Sequence, residues 1–287
     1  MTRLAPTLCL LIAPLLAACA DGVAEVQAVD PAPPASGRYG LVVLTAQLGE
    51  PGIALSGQLM DYQGVSQADA LRALTAPELV WLADDHLAAG TCQLLDTEPH
   101  SPEGHTQVDL LDAGPILVRA PAPLEEGQLV PPRELPALVN ALAGVVYDAD
   151  TDLPYLSGGL YRVQADGAEL GALSGEVEAP GPVWLDSHQL DDAGLDLHLG
   201  GGPDAYVVLT RAAAGRAVAC LPLEGADALR VPPEALRHLG PGTIEIDLLR
   251  VRRAPLVAEG LPGALLFVTR DATWLTLPDL PSEERAR

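Results

Sequence analysis

Short runs of Val and Leu, separated by Gly, Pro and Asp, fill most of the chain after residue 90. Runs of this kind at regular spacing are typical of the strands of a β-sandwich. In the clearest example, residues 243–248, strict alternation turns Ile244, Ile246 and Leu248 towards the core. An earlier apolar run over 41–46 predicts a further strand. The predicted strands after residue 90 are 91–96, 107–111, 115–119, 144–148, 159–164, 182–185, 195–199, 205–211, 216–222, 243–252 and 264–277.

Two segments have a helical pattern instead. Ser66, followed three residues later by Asp69, forms a capping box, and apolar residues at helical spacing continue it over 66–74. Pro232 and Pro233 precede a short apolar stretch that Gly240 ends, and this order predicts a helix over 232–239. The pattern as a whole therefore predicts a mainly β protein with one or two Ig-like sandwich domains and two short helices.

The domain boundaries follow from changes in composition along the chain. Residues 19–37 are rich in Ala and Pro, which favour an extended tether. We expect an N-terminal β-rich domain with a helical insertion over 38–180 and a C-terminal Ig-like sandwich over 181–277. The polar residues 278–287 predict a flexible tail.

Charge narrows the classes of partner. The chain carries 39 acidic and 16 basic residues, all of the latter arginine, for a formal net charge of −23. Such a chain repels nucleic acid and anionic lipid headgroups, so neither is an expected partner. The apolar fraction of 48% is high enough to form a core, with Leu, Val and Ala in place of aromatic residues.

The first 19 residues carry the most specific signal. Arg3 precedes an apolar run over 4–16, and Leu16-Ala17-Ala18 leads directly to Cys19. The run is shorter than the ~20 residues that a membrane-spanning helix needs. The order resembles a bacterial lipoprotein signal peptide with its lipobox, which implies loss of residues 1–18 and acylation of Cys19. We expect anchorage in the outer membrane through this lipid, on a face that the sequence leaves open.

Two other cysteines belong to the predicted folded part. Cys92 and Cys220 both lie in apolar stretches, as free buried cysteines do. An exported protein can also keep them joined as a disulfide, and that alternative stays open. The sequence favours two separately buried thiols.

Candidate metal ligands are sparse. Asp148, Asp150 and Asp152 match the first ligands of a calcium loop, but Leu153 stands where an EF-hand needs glycine. An acidic turn is the preferred interpretation, with a looser calcium site as the alternative. A second group has the residue types of a zinc site, but in a spacing that scatters them over a loop and an outward face. It comprises Asp186, His188, Asp191, Asp192, Asp196 and His198.

No stretch matches a catalytic motif. A serine-hydrolase elbow, a zinc-protease helix and a phosphate-binding loop are all missing from the sequence. Asp84-Asp85-His86 and the loop residues His100 and His105 are the remaining candidates for acid–base or metal chemistry. We expect a non-enzymatic surface or periplasmic binding or structural protein without a cofactor. The alternatives are an envelope-polymer hydrolase assembled from separated loops and a cation-dependent adhesion module.

Several short motifs follow one another in order between residues 110 and 253. They are Leu111-Asp112-Ala113-Gly114, Gly158-Gly159-Leu160-Tyr161-Arg162-Val163, Val177-Glu178-Ala179-Pro180, Asp196-Leu197-His198-Leu199, Val207-Val208-Leu209, Cys220 and Val231-Pro232-Pro233. In this order the chain resembles a group of uncharacterised surface lipoproteins of myxobacterial type with β-sandwich cores. The resemblance implies a lipid-anchored sandwich and supplies no catalytic residues.

Overall fold

A computed structural model describes residues 24–27, 35–72, 87–96, 107–124, 126–135, 142–202 and 205–279. In chain order, the first ten strands are β1 (Glu25–Gln27), β2 (Ala35–Gln47), β3 (Ile53–Val65), β4 (Thr91–Asp96), β5 (Gln107–Leu110), β6 (Ile116–Arg119), β7 (Gly127–Val130), β8 (Arg133–Glu134), β9 (Leu142–Ala143) and β10 (Val145–Asp150). The other ten are β11 (Leu160–Ala165), β12 (Leu173–Glu178), β13 (Trp184–Asp191), β14 (Gly194–Gly200), β15 (Tyr206–Arg211), β16 (Arg216–Leu221), β17 (Ala228–Val231), β18 (Gly242–Pro255), β19 (Val257–Ala258) and β20 (Gly263–Leu277).

The helical elements in the described ranges are few and short. Helix α1 spans Gln67–Arg72 and helix α2 spans Pro233–Leu239, with a single 3₁₀ turn at Ala212–Ala214. No helix in the described ranges has the length and apolar character needed to cross a bilayer. The protein is therefore mainly β and of sandwich type, which confirms the predicted fold class.

One large sheet organises the molecule. Its strand order is β1-β4-β16-β15-β18-β20-β2-β3-β10-β8, with β5 paired to β3 and β9 paired to β5. β18 and β20 pair along the whole length of β18, and β2 lies parallel to β20 on its other side. Two smaller sheets complete the fold, a five-stranded sheet of order β19-β12-β11-β6-β7 and a three-stranded sheet of order β13-β14-β17.

Both smaller sheets cover the same face of the large sheet. Leu265 and Phe267 of β20 pack into the core beneath the five-stranded sheet, whereas Leu277, further along, packs beneath the three-stranded sheet. Alternate residues of a strand share a face, so these odd-numbered positions point the same way. Leu266 and Val268 point to the opposite face, into a third core that Leu71 of α1 also joins. β20 is thus buried on both faces over its first half.

These pairings correct the predicted domain division at residue 180. β2 pairs with β20 from Gly40 to Gln47, and β4 pairs with β16, so strands from both predicted domains share one sheet. The predicted tether over 19–37 is also wrong in part. Ala24 is buried, Glu25–Gln27 form an edge strand along β4, and β2 already begins at Ala35.

Every strand predicted after residue 90 overlaps an observed strand, and both helices begin one residue after their predicted starts. Ser66 caps α1, because the Asp69 amide donates to its hydroxyl oxygen at 3.1 Å. The sequence missed eight strands, which are β1, β3, β7, β8, β9, β12, β17 and β19. The longest of them is β3, which contains Gly57. That glycine lies opposite Tyr147 of β10, and a Cβ there would lie 3.3 Å from the tyrosine Cβ. Close packing against an aromatic residue therefore explains the glycine in the strand.

A buried arginine joins the three sheets. Arg250 of β18 is 6% exposed and donates to the carbonyl oxygens of Pro182 and Gly201, each at 2.9 Å, and to that of Gly202. Pro182 belongs to the segment that leads from the five-stranded to the three-stranded sheet. Thr269 of β20 donates to the Gly181 carbonyl at 3.0 Å in the same segment. The seam between the two small sheets is therefore held by side chains of the large sheet.

Replacing Arg250 with Met should lower the free energy of unfolding by about 3 kcal/mol or more, since three charge-assisted hydrogen bonds to partly buried carbonyl oxygens are lost. Urea unfolding followed by circular dichroism measures this loss. Arg252→Met is the matched control, because Arg252 is exposed and a surface change costs about 0.5 kcal/mol or less. Equal, small effects of the two substitutions would show that the seam does not depend on Arg250.

Candidate functional site

Several sequence candidates lie outside the described residues. These are the proposed lipid-bearing Cys19 with its preceding motif, Asp84-Asp85-His86, His100 and His105. The roles suggested for them remain predictions.

The three aspartates of the calcium hypothesis do not converge. Asp148 and Asp150 lie two positions apart on β10, and Asp152 follows the end of the strand. Asp148 instead lies 3.5 Å from an exposed Arg133 guanidinium, its neighbour on β8. Within the described ranges, no three His, Cys, Asp or Glu side chains are grouped so that they could hold a metal ion.

The acidic and histidine residues of 186–198 spread over the β13–β14 hairpin. Asp186 accepts a hydrogen bond from Trp184 Nε1 at 2.6 Å, and Asp191 accepts one from the Ala193 amide at 2.8 Å in the turn. Asp196 is paired with Arg230 of β17 through both carboxylate oxygens at 2.5 Å. Hydrogen bonding to that guanidinium lowers the pKa of Asp196, so the carboxylate stays charged in a structural role.

His188, Asp192 and His198 complete this candidate zinc group, and all three side chains are exposed. His188 and His198 lie on the two strands of the hairpin, and Asp192 lies in the turn between them. The six residues of the hairpin therefore have separate roles in an ion pair, in the turn and on the exposed surface, and they do not form one metal site.

The glycine run after β14 has a packing role. Trp184 lies opposite Gly200 in the strand register, and a Cβ on Gly200 would lie only 2.2 Å from the indole nitrogen. Gly201 and Gly202 have φ values of +87° and +104°, which disfavour other residues, and their carbonyl oxygens accept from Arg250. Gly200 thus leaves space for the indole ring, and Gly201 and Gly202 adopt the backbone conformation in which their carbonyl oxygens bind Arg250.

The two cysteines of the folded part are joined. Cys92 of β4 and Cys220 of β16 lie directly opposite each other and form a disulfide. Both are fully buried, as predicted, but the favoured interpretation as separate thiols is wrong. The pairing of β4 with β16 brings them together, and this long-range register was not visible in the sequence.

One groove lies on the outer face of the five-stranded sheet. It has a volume of about 370 Å³, and its lining consists of Arg162, Gln164, Ser174, Gly175, Glu176, Pro255 and Val257. Arg162 and Glu176 are half exposed and form an ion pair across β11 and β12 at 2.7 Å. Arg119 of β6 stands opposite Arg162 and adds a second guanidinium beside the groove. The lining offers polar contacts but no histidine beside Ser174 to act as a base.

A second surface lies on the large sheet, beyond the core that α1 joins. The Trp274 platform comprises Thr243, Glu245 and Asp247 of β18 and Arg270, Trp274 and Thr276 of β20. Thr243 lies opposite Thr276, and Glu245 lies opposite Trp274. Trp274 is 67% exposed, more than any other described large apolar side chain.

Charged groups fix the other end of the platform. Arg270 donates to Asp247 at 2.6 Å and to Glu245 at 3.1 Å. Asp247 is 3% exposed, and burial raises its pKa, while the neighbouring guanidinium opposes that rise. The side chains of Arg270 and Glu245 stay one-third exposed. The platform therefore presents an indole face beside an ion-paired cluster of one arginine and two carboxylates.

Sequence reasoning missed both surfaces. Alternation over 243–248 identified the core-facing residues correctly, since Ile244, Ile246 and Leu248 are buried. The intervening Glu245 and Asp247 then face the other side of the sheet. Only the register of β18 with β20 shows that they neighbour Trp274 and Arg270.

Comparisons with family models, with curated proteins and with solved structures return no match for this chain. The fold defines a mainly β, sandwich-type protein. The resemblance to surface lipoproteins stays a prediction.

Denaturing the mature protein without a reductant should release no thiol from Cys92 or Cys220. A thiol reagent in urea measures this, and added reductant should release both. Replacing both cysteines with alanine should lower the free energy of unfolding by about 5 kcal/mol at most on the chain-entropy model, since the disulfide closes a loop with a sequence separation of 128. Release of two thiols without reductant would contradict the pairing.

Calcium at micromolar concentration should leave the melting temperature unchanged, because Asp148, Asp150 and Asp152 do not surround a common point. Scanning calorimetry in CaCl₂ and in NaCl of equal ionic strength separates specific binding from charge screening. A saturable rise that disappears in Asp150→Ala would show a calcium site, since ligand above its dissociation constant stabilises the folded state.

Proposed function

We propose that this protein is a lipid-anchored protein of the bacterial cell envelope that binds a partner and performs no catalysis. The observation that carries the proposal is the order of Arg3, the apolar run over 4–16, Leu16-Ala17-Ala18 and Cys19. Each buried methylene of an acyl chain contributes about 0.8 kcal/mol, so two or more chains on Cys19 hold a protein on a membrane permanently. Asp21 stands at the third mature position, where it gives no clear signal for inner-membrane retention, and outer-membrane residence is the expectation.

The disulfide supports export. Disulfides persist in oxidising compartments such as the periplasm and the cell surface, and they are rare in the cytosol. Cys92 and Cys220 are fully buried and joined across two neighbouring strands. A structural disulfide in this position fits a chain that folds after it has crossed the inner membrane.

The surfaces support a binding role. The groove beside Arg162 and the Trp274 platform both lie on sheet faces, where hydrogen-bonded strands hold the backbone in a fixed arrangement. A binding surface that is already rigid loses little conformational entropy when it meets a partner. In the described ranges, no hydrogen bond connects His188 or His198 to a Ser or Asp side chain, as a hydrolase site of the kind considered above would require.

Metabolic labelling with a radioactive fatty acid tests the anchor. The wild-type chain, expressed in a bacterium, should carry the label and sediment with the outer membrane. Cys19→Ala should abolish both the label and the processing of the precursor. Cys9→Ala is the matched control, because Cys9 belongs to the removed segment and its loss should leave labelling intact. An unlabelled wild-type protein, or a labelled Cys19→Ala variant, would refute the proposal.

A further inference from the structure

We infer that the protein forms a symmetric dimer through the outer face of its five-stranded sheet. The partner is a second copy of this chain, and the two-fold axis runs along β11, the central strand in the order β19-β12-β11-β6-β7. The inference deepens the proposed binding role by naming the partner. It rests on the proposed anchor only for a raised local concentration of the chain.

The outer face follows from the alternation of side chains along each strand. Tyr161 and Val163 of β11 point into the core, so Leu160, Arg162 and Gln164 point outwards. The other four strands alternate in the same way. Their registers arrange the outward side chains in rows across the sheet, with neighbours in a row about 4.8 Å apart.

One row carries an exposed apolar side chain at each end. Gln164 lies at its centre, between Ser174 of β12 and Leu117 of β6. Val257 of β19 lies opposite Ser174, and Leu129 of β7 lies opposite Leu117. Val257 is 61% exposed and Leu129 is 63% exposed. The row therefore places two exposed apolar groups at equal distances on either side of β11.

The next row carries opposite charges at equal distances from β11. Arg162 lies at its centre, between Glu176 of β12 and Arg119 of β6. Glu176 binds Arg162 Nε at 2.7 Å, whereas the exposed Arg119 forms no ion pair within the described ranges. Like charges directly opposite each other on neighbouring strands are destabilising. A carboxylate from a second molecule would relieve this repulsion at Arg119.

A two-fold axis parallel to β11 makes both rows self-complementary. Rotation about this axis exchanges the two sides of the sheet and keeps each row at its own level. Arg119 of one copy then faces Glu176 of the other, and Leu129 faces Val257, each pair occurring twice as a two-fold interface requires. Gln164 lies on the axis and meets its own copy, and its amide can both donate and accept. Packed sheets keep their strands within about 30° of each other, so pairs near the axis retain these partners.

The groove on this face fits the same arrangement. Pro255 and Val257 form its apolar side, and the axis along β11 brings the second copy's Leu129 to that side. The outward positions of the five strands hold two arginines and two glutamates, Glu178 being the second glutamate. This face is therefore locally neutral in a chain of net charge −23, and it does not add to the repulsion between two copies.

The size of the face predicts a weak dimer. Its five strands span about 19 Å from β19 to β7, and the strands are short. Such a face is smaller than the ~800 Å² per partner that a standard stable complex buries. Anchorage of both copies in one membrane would favour the dimer, because it raises their effective concentration.

Cross-linking of the full-length protein tests the inference. Gln164→Cys places a thiol on the axis, and a bis-maleimide that spans about 10 Å matches the separation of packed sheets. This variant should give a cross-linked dimer in bacterial membranes and in detergent. Cys92 and Cys220 are buried and joined, so they do not react. Arg253→Cys is the matched control and should give no dimer, because Arg253 is exposed on the opposite face of the large sheet.

Charge reversal tests the pairing itself. In the Gln164→Cys background, Arg119→Glu and Glu176→Arg should each lower the cross-linked fraction about fivefold or more, since each places like charges face to face. Coexpression of the two variants with different tags should restore a mixed dimer, because the two reversed charges then face each other. Arg253→Glu should leave the fraction unchanged. All of these positions are exposed, so the unfolding midpoint should change little, which separates loss of the dimer from loss of the fold.

Three results would overturn the inference. They are the absence of a dimer with Gln164→Cys, equal cross-linking of Arg253→Cys, and failure of the two coexpressed charge variants to form the mixed dimer. A cross-link from Gln164→Cys to a different protein would also overturn it and would assign the face to that protein. Fatty-acid labelling of Cys19 is measured separately. A labelled protein without a dimer contradicts the dimer alone, and an unlabelled dimer contradicts the anchor alone.

Discussion

The pairing of β18 with β20 is the constraint on which the rest of the structure depends. The two strands stay in register over all 14 residues of β18, from Gly242 opposite Leu277 to Pro255 opposite Ala264. One face of this ribbon supports both smaller sheets, and the other carries the core that α1 joins and the Trp274 platform. Arg250 and Thr269 extend from the ribbon to hold the seam between the smaller sheets. A slip of one residue would exchange the two faces and misplace every one of these groups.

The local part of this architecture was predictable. Alternation and turn residues identified most of the strands, and proline and glycine identified α2, because these signals act over a few neighbouring residues. β3 was not predicted because Gly57 weakens the strand pattern. The glycine is explained only by its packing against Tyr147, some ninety positions later in the chain. The parallel pairing of β2 with β20 joins residues more than two hundred positions apart, and nothing in either strand specifies its partner.

The two candidate surfaces were not predicted from the sequence for the same reason. Glu245 and Asp247 look like the solvent-facing half of an alternating strand, and Trp274 and Arg270 look like isolated residues in the next one. Their chemistry appears only when the register places them on one face. The disulfide is a similar case, because only the pairing of β4 with β16 brings the two buried cysteines together. Candidates taken from local motifs, such as the aspartates over 148–152, proved to be separated.

The central feature of the structure is one continuous sheet that includes strands from both halves of the chain. The folding of the C-terminal segment alone tests this feature most directly. Residues 181–277 were predicted to be an independent sandwich, yet in the structure β20 has β2 as its second neighbour and β16 has β4. Urea unfolding of this fragment, followed by near-ultraviolet circular dichroism, should show no cooperative transition, and addition of residues 20–180 should restore one. A cooperative transition of the fragment alone, with the aromatic signal of the intact protein, would contradict the account.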